Sequence, residues 1–374
     1  MHKVPFVAYG LQYKNLKSEI DAIIQDVLAR GDLILRKDTD EFESRLAEFI
    51  GTKYAVALNS GTDALFFSLL AYGIGKGDEV ITVSHTFVAS FATIVQAGAT
   101  PILIDVADDF EMDVSKIEEA ITQKTKAIIP VHINGRMTNM DKVMEIAKKH
   151  NLIVIEDAAQ SLGAKFNGKK AGSIGHTGCF SFYPAKILGC FGDGGGLTTN
   201  DEKVAEKIKL FRDHGQKTKT EIICYGWNSR LDNLQAAILN VKLNYLEGWL
   251  NRRREIAGIY NEGLKSVSQI KLPPAPENGL YFDVFQNYVL RAQNRDELFS
   301  YLKENGVETL IKDPVTNHSH NGLNVSHFNL PLTDQLAKEV ISLPMYPELT
   351  NEQVEYVIEC VKNFYIATLK NLIT

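Results

Sequence analysis

The alternation of two hydrophobic periods along the first half of the chain is the feature that most constrains the fold. Short apolar runs rich in β-branched residues occupy residues 54–58, 79–83, 101–106, 127–133 and 152–155, and helix-period segments occupy 62–71, 88–97, 115–122 and 140–150. Most runs are continuously apolar, which is typical of strands buried on both faces. The pattern predicts an α/β protein with a mainly parallel sheet flanked by helices. Such sheets bind ligands at the carboxyl ends of their strands.

The segments around this sheet predict a second, smaller unit. Amphipathic helices are predicted over residues 18–30, ending at Gly31, and over residues 40–50. A single long helix is predicted over residues 231–267, because apolar residues recur there every three or four positions. Beyond it, residues 287–290 read as a strand, and residues 296–305 and 352–365 read as helices. We therefore expect a large domain at residues 1–245, including the N-terminal helices, and a small C-terminal α/β domain at residues 246–374.

Composition excludes several classes of protein. Forty basic residues against 46 acidic ones give a net charge of -6, which argues against nucleic-acid and membrane-surface binding. The apolar runs are too short to span a bilayer, and the first residues lack a signal core. The four cysteines have no patterned spacing, so we expect reduced thiols in a cytoplasmic protein. The nine histidines form no convincing ligand pair, so no metal is expected.

An acidic pair, Glu156 and Asp157, directly follows the apolar run that ends at Ile155. A carboxylate at the end of a buried strand needs a partner, because leaving it desolvated and alone is costly. One interpretation is a cap for the following helix. The other is a cationic partner supplied by a ligand, for example a pyridinium nitrogen.

Lys186 lies in an aromatic and glycine-rich stretch with no charged neighbour before Asp193. An apolar environment lowers the pKa of a lysine, and the resulting free amine can act as a nucleophile or form a Schiff base. Most lysines are solvated surface residues, so the hypothesis depends on the composition around Lys186.

Two further stretches complete a possible site. Residues 59–64 follow a predicted strand and open a helix, so their amides and hydroxyls could bind phosphate, although Ser and Thr there are also ordinary helix caps. Phe87 follows the next strand and could face a planar ligand, although a lone Phe is more often in the core. A phosphate cradle, a stacking ring, an acid and a lysine together indicate a pyridoxal 5'-phosphate site.

At this point the sequence resembles the sugar aminotransferases of the DegT/DnrJ/EryC1/StrS family, which are fold-type I pyridoxal phosphate-dependent transferases. The resemblance covers nearly the whole chain. The most specific matching segments are residues 156–160, 180–186, 192–195, 228–237 and 342–347.

The resemblance implies a role for each matching residue. Lys186 would form the Schiff base with the cofactor and, once freed, would move the proton between substrate and cofactor. Asp157 would keep the pyridine nitrogen protonated, and Gln160 would contact the ring hydroxyl. Phe87 would stack on the ring. The implied phosphate ligands are Gly61, Thr62 and Ser181, and the implied substrate contacts are Tyr183, Arg230 and His318.

Asn228 is implied as a phosphate ligand of the partner subunit, which predicts a homodimer with shared active sites. The chain departs from the family pattern at His176, where Asp is usual, and in residues 33–36 and 314–320. We expect these last two stretches to recognise the sugar and the nucleotide.

The resulting functional hypothesis is an aminotransferase that uses L-glutamate to aminate a keto-sugar, such as a dTDP-3-keto-6-deoxyhexose. A 4-keto nucleotide sugar and an unactivated keto-octulosonate are alternative acceptors. A sugar dehydratase of the same fold would carry histidine in place of Lys186. A non-catalytic regulator would have no reason to keep the lysine, the acid, the glutamine and the phosphate cradle together.

Overall fold

The computed structural model describes the backbone of residues 3–373 and the side chains of residues 3–367. The helices are α1 Tyr9–Arg30, α2 Lys37–Ile50, α3 Gly61–Ala71, α4 Ala89–Gln96, α5 Ile117–Ala120, α6 Met140–His150, α7 Glu202–Arg212, α8 Asn233–Leu243, α9 Leu246–Leu264, α10 Arg295–Glu304, α11 Pro331–Glu339 and α12 Asn351–Ile373. The strands are β1 Tyr54–Leu58, β2 Glu79–Val83, β3 Thr100–Ile104, β4 Thr125–Ile128, β5 Ile153–Asp157, β6 Lys165–Phe166, β7 Lys169–Lys170, β8 Thr177–Ser181, β9 Gly195–Thr199, β10 Gln216–Thr218, β11 Glu221–Ile222, β12 Ile270–Lys271, β13 Tyr281–Phe282, β14 Tyr288–Ala292 and β15 Val340–Leu343.

The central sheet has seven strands in the order β1-β9-β8-β5-β4-β2-β3. The ladders that join β3, β2, β4, β5 and β8 are parallel. β9 runs antiparallel to both of its neighbours, β1 and β8. The predicted mainly parallel α/β sheet is therefore confirmed, and the carboxyl ends of β2, β4, β5 and β8 lie along one edge.

The predicted helices over residues 40–50, 62–71, 88–97 and 140–150 correspond to α2, α3, α4 and α6, whereas α1 begins at Tyr9 instead of residue 18, and α7 was not predicted. α1 ends at Gly31, whose φ of 68° is the left-handed conformation that glycine adopts without steric cost. The prediction of one continuous helix over residues 231–267 is wrong. The chain turns at Asn244 and Tyr245, where both N–H groups bond carbonyls three residues back, and α8 and α9 are separate helices.

A second hydrophobic core lies in the C-terminal third of the chain. The antiparallel sheet β12-β14-β15 packs there with α9, α10 and α12, around residues that include Tyr260, Tyr288, Leu298, Ile341 and Val357. α9 belongs to both cores, because its residues Leu246 and Leu250 pack in the core of the central sheet. The boundary between residues 245 and 246 stays a prediction.

Among residues 3–373, no helix combines the length and the apolar character needed to cross a bilayer. The four cysteines are unpaired.

Candidate active site

A cavity of about 610 Å³ opens at the carboxyl ends of β2, β4, β5 and β8. Its volume is in the range of cofactor and substrate pockets. Its walls contain the predicted site residues Gly61, Thr62, Phe87, Asp157, Gln160, Ser181, Tyr183 and Lys186. Residues that are up to 125 positions apart in sequence, from Gly61 to Lys186, therefore line one space.

The two acids of the pair at the end of β5 have different environments. Glu156 is fully buried, and its carboxylate accepts hydrogen bonds from the backbone N–H groups of Gly172, Ile174 and Gly175 at 2.6–2.9 Å. It also bonds the ring of His132 at 3.0 Å. Since adjacent strand residues point to opposite faces, Asp157 faces the cavity. Glu156 is thus a fully satisfied structural acid, and Asp157 is the acid available to a ligand.

Asp157 is fixed before any ligand contacts it. Ser90, on α4, donates its hydroxyl to Asp157 Oδ2 at 2.7 Å, and the N–H of Ala159 donates to Asp157 Oδ1 at 3.2 Å. The hydroxyl of Thr86 lies 2.7 Å from that of Ser90 and extends the network. A carboxylate held in this way can present one lone pair to a cationic ring nitrogen without losing orientation.

Lys186 lies in the loop after β8, with its side chain in the cavity. The backbone N–H of Lys186 donates to the carbonyl of Tyr183 at 2.8 Å, and this bond closes a turn. Burial, together with the positive charge of Lys312, lowers the pKa of Lys186 to about 8, while Asp157 acts in the opposite direction. The amine of Lys186 therefore loses its proton far more readily near neutral pH than that of an ordinary lysine, as a nucleophile requires.

The phosphate cradle is built where the start of α3 meets the end of β8. Ser60 is an ordinary helix cap, since its hydroxyl accepts the N–H of Asp63 at 3.1 Å. Gly61 packs so tightly that a Cβ would lie 3.0 Å from Ser181 Cβ. The first N–H groups of a helix have no intrahelical acceptor, and together with Thr62 and Ser181 they can bind an anion.

Gln160 and Phe87 border the same cavity. The side-chain oxygen of Gln160 accepts hydrogen bonds from the N–H of Asn134 at 3.0 Å and the side chain of Asn287 at 3.3 Å. These two bonds fix the oxygen and leave the NH₂ group of Gln160 as the donor that a ligand can use. Phe87 is 59% exposed, so one face of its ring is free to cover a planar group.

Asn228 and Arg230 lie outside this cavity. Arg230 donates to the side chain of Asn228 at 2.7 Å and pairs with Asp213 at 2.9 Å. Asn228 is exposed, and it lies near Tyr225, which is 97% exposed, and Trp227, which is 40% exposed. Asn228 therefore does not line the cavity of its own chain.

His318 is buried and does not line the cavity. Its Nδ1 lies 2.9 Å from the hydroxyl of Ser84, and its Nε2 lies 3.2 Å from Asp334. The neighbouring Asn317 donates to the carbonyls of Ser84 and Thr86. Asn317 and His318 therefore hold the segment that directly follows β2.

His176, another departure from the family pattern, also lies away from the cavity wall. It precedes β8, where its Nδ1 accepts the N–H of Val154 at 2.9 Å and its own N–H bonds the carbonyl of Val154 at 2.8 Å. Its contacts therefore join β5 to the segment that leads into β8.

Among the residues that reach the cavity from the C-terminal third are Arg253, Gln286 and Lys312. Sequence reasoning missed all three. A signal existed for Arg253, because it lies on the buried stripe of α9, between Leu250 and Ala257 at steps of three and four residues. Gln286 and Lys312 lie in segments without regular structure, and no local pattern marks them.

Comparison with known proteins identifies relatives over almost the whole chain. The model of the DegT/DnrJ/EryC1/StrS aminotransferase family matches residues 14–362. A pleiotropic regulatory protein of Geobacillus stearothermophilus is 42% identical, over 97% of this chain and 98% of its own. The dTDP-3-amino-3,4,6-trideoxy-alpha-D-glucose transaminase of Streptomyces venezuelae is 39% identical, over 97% of this chain and 96% of its own.

The fold of this chain also matches the folds of solved structures. The crystal structure of NtdA from Bacillus subtilis with bound cofactor PMP superposes with a TM-score of 0.90 at 31% identity, covering 97% of this chain and 85% of that one.

Proposed function

Because this chain belongs to the DegT/DnrJ/EryC1/StrS aminotransferase family and is an aminotransferase, we propose that it uses pyridoxal 5'-phosphate to transfer the amino group of L-glutamate to a keto-sugar. The acceptor would be a nucleotide-linked sugar, for which a dTDP-3-keto-6-deoxyhexose is the favoured example. The observation that carries the proposal is the pairing, in one cavity, of Lys186 with a pKa lowered to about 8 and a fixed, ligand-facing Asp157.

The residues of the cavity fit the cofactor. Asp157 offers a carboxylate to a ring nitrogen, and Gln160 offers an amide N–H to a ring hydroxyl. Gly61 leaves room for an anion at the start of α3, where a larger residue would meet Ser181. When bound, pyridoxal phosphate supplies an aldehyde that condenses with amines and a ring that withdraws electrons from the adjacent carbon.

The chain's own groups would bind, orient and move protons. Lys186 Nζ would take the proton from the substrate carbon and return it to the neighbouring atom, because its lowered pKa suits both acceptance and release near neutral pH. Asp157, held by Ser90, would keep the ring nitrogen protonated. Phe87 and Tyr183 would cover the open side of the cavity and reduce water access.

We also propose a homodimer with shared sites. Asn228 is exposed and outside the cavity of its own chain. Around it lies an apolar surface formed by Ile222, Ile223, Tyr225 and Trp227. Large exposed apolar patches mark protein interfaces, and a second copy covering this one would carry Asn228 toward the partner's phosphate cradle.

The Streptomyces venezuelae relative is named for an amino group at C-3 of a dTDP-linked sugar. A 4-keto nucleotide sugar or a keto-octulosonate would use the same catalytic residues. The regulatory name of the Geobacillus stearothermophilus relative does not favour a non-catalytic role here, because a regulator needs no lysine of lowered pKa beside an oriented acid.

The test is the visible absorption spectrum of the purified protein with pyridoxal phosphate. We expect a yellow band that bleaches when L-glutamate is added and returns when the correct keto-sugar is supplied, with the amino sugar identified by mass spectrometry. Lys186→Ala should give no such band. A wild-type band that ignores glutamate would reject the donor, and the absence of any band would reject the cofactor.

A further inference from the structure

Glu111 is a buried acid that does not line the cavity and has no role in the proposed chemistry. It lies in the loop after β3 and is 3% exposed. Its carboxyl group accepts the backbone N–H of Ile133 at 3.1 Å and the hydroxyl of Thr138 at 2.9 Å. Both partners belong to the segment that follows β4. Because a buried carboxyl group is costly unless its oxygens are bonded, these two bonds tie that segment to Glu111.

The part of the segment that Glu111 holds is a tight turn over residues 133–136. The N–H of Arg136 donates to the carbonyl of Ile133 at 3.0 Å. Asn134 has a φ of 56°, a left-handed conformation that asparagine adopts more readily than most residues. A Cβ on Gly135 would lie 2.6 Å from the backbone nitrogen of Phe285. The turn is therefore packed closely against the C-terminal third of the chain, and its N–H groups are directed by contacts on two sides.

The turn passes this order on to Gln160, which lines the cavity. The N–H of Asn134 directly follows the N–H that Glu111 accepts, and it donates to the side-chain oxygen of Gln160 at 3.0 Å. The side chain of Asn287 donates to the same oxygen and to the side-chain oxygen of Asn134, both at 3.3 Å. Two consecutive peptide groups thus connect the buried acid to a residue that faces the cofactor site.

The surroundings of Glu111 favour its neutral form. Burial raises the pKa of Glu111 well above its usual range, and Asp109 and Asp283 add to this effect, while Thr138 and Arg136 act in the opposite direction. A neutral carboxyl group can still accept the N–H of Ile133 and can donate to Thr138, whose hydroxyl has a second acceptor in the carbonyl of Val131 at 3.4 Å. Glutamine offers the same combination of one acceptor and one donor, so it is the conservative replacement.

We propose that Glu111 is a positioning residue for Gln160. It holds the turn of residues 133–136, so that the N–H of Asn134 fixes the oxygen of Gln160 and the NH₂ group of Gln160 faces the ring hydroxyl of the cofactor. This inference rests on the proposed function and extends it to a residue outside the cavity. Glu111 contacts neither cofactor nor substrate, and it acts only through the turn.

The first test uses cofactor-free protein, so its result does not depend on the loaded enzyme. Glu111→Leu removes both oxygens at similar volume, and Glu111→Gln keeps the hydrogen-bonding pattern. Amide hydrogen exchange is followed by mass spectrometry of a peptide that covers residues 131–138. Exchange should be about tenfold or more faster in Glu111→Leu and unchanged in Glu111→Gln. Wild-type exchange in Glu111→Leu would overturn the proposal.

The second test follows the cofactor band as a function of pH. A donor to the ring oxygen stabilises the deprotonated form of that oxygen, so loss of the donor raises the pH at which the band changes wavelength. Gln160→Met removes the donor directly, and its midpoint should lie about one pH unit above that of wild type. Glu111→Leu should move the midpoint in the same direction, and Glu111→Gln should keep the wild-type midpoint.

The combined variant Glu111→Leu/Gln160→Met shows whether the two residues act through one contact. Its midpoint should not exceed that of Gln160→Met alone, because both changes remove the same donor. Two shifts that simply add would show that Glu111 acts independently of Gln160, and the proposal would be wrong.

Glu43→Leu is the matched control for a loss of stability. Glu43 is also buried, and its carboxylate accepts the N–H of Ala57, on β1, at 2.9 Å, away from the cavity wall. This variant should lower the melting temperature and leave the midpoint of the band at the wild-type value.

Thr138→Val is the second variant if Glu111→Leu does not fold. It removes one of the two bonds of Glu111 and should give a smaller shift of the same sign. An unchanged midpoint in both folded variants contradicts the positioning role. A wild-type protein without a cofactor band contradicts the proposed function instead, and the exchange measurement then decides the role of Glu111 in holding the turn.

Discussion

Gln286 hydrogen-bonds both peptide groups that flank Lys186. Its side-chain oxygen accepts the N–H of Ile187 at 2.8 Å, and its side-chain nitrogen donates to the carbonyl of Ala185 at 2.8 Å. A single amide therefore replaces the pairing that a neighbouring strand would give to this loop. It fixes the Cα of Lys186 and leaves the side chain free to move between the positions that proton transfer requires.

Gln286→Ala should therefore release the loop that carries Lys186. Two backbone groups, one buried and one partly buried, lose their partners, which costs about 1–3 kcal/mol for each group that finds no replacement. We expect a lower melting temperature and faster loss of the cofactor band during dialysis. Gln335→Ala, on the exposed face of α11, is the control, and an equal effect there would contradict the role of Gln286.

Ser90→Ala should reduce turnover by about tenfold, because a hydrogen bond to a charged group contributes about 1.5–3 kcal/mol to the orientation of that group. Asp157 would keep only its bond from the N–H of Ala159. Steady-state kinetics should assign the loss to kcat, with the cofactor still bound. Ser300→Ala, on α10, provides the comparison, and wild-type kcat in Ser90→Ala would reject the positioning role.

Gly195→Ala should damage the phosphate cradle. The new Cβ would lie 2.1 Å from the carbonyl carbon of Ser60 and 2.5 Å from the nitrogen of Gly61, so the start of α3 must move. Overpacking of this kind costs about 1–3 kcal/mol or more. Cofactor titration should show weaker retention.

Gly248→Ala is the matched control for that variant. Gly248 lies inside α9, and an added Cβ there meets nothing within 4 Å. It should be neutral or stabilising by up to about 1 kcal/mol, because alanine is the better helix former. Thermal denaturation of both variants checks the pair, and the same loss of cofactor in Gly248→Ala would contradict the cradle argument.

The capture of pyridoxal phosphate by protein stripped of cofactor should depend on pH through Lys186. The amine reacts only when unprotonated, and burial lowers its pKa to about 8, so the rate should rise with pH through a midpoint near 8. Lys312→Met removes a like charge, which raises the pKa of Lys186 toward its ordinary value and moves the midpoint upward. Stopped-flow absorbance measures both profiles, and a midpoint that does not move would exclude the influence of Lys312.

Asn228→Asp should weaken cofactor retention by adding an anion beside the phosphate of the partner's site. Because Asn228 is exposed, the substitution should leave folding intact, and a loss of cofactor would not result from misfolding. Mixed dimers of Lys186→Ala and Asn228→Asp subunits should regain activity, because one of their two sites is then fully native. Without such recovery, or with wild-type retention in Asn228→Asp, the shared-site proposal would be wrong.

The sequence predicted best where local patterns are strong. The helix over residues 140–150 matches α6, and the strands over residues 54–58 and 79–83 match β1 and β2. The join between α8 and α9 was missed because apolar periodicity continues through Tyr245, and periodicity does not detect a turn that keeps the same face buried.

The residues proposed to face the cofactor could be predicted from the sequence for a similar reason. Lys186 and Asp157 each lie in a short stretch whose composition is unusual for a surface. Arg253 sits among three consecutive arginines that resemble a solvated charge run, and the helical stripe alone identifies the buried member. Gln286 and Lys312 act through contacts that form only after distant segments have packed.

The membership of α9 in both hydrophobic cores has a thermodynamic consequence. Leu246, Leu250, Val284 and Leu336 all lie C-terminal to residue 245, yet they complete the core around the central sheet. A fragment that stops at residue 245 would expose that core and should not persist as a folded unit. The whole chain should melt in one cooperative transition, and Lys186 and the cavity residues of the C-terminal third would lose their arrangement together.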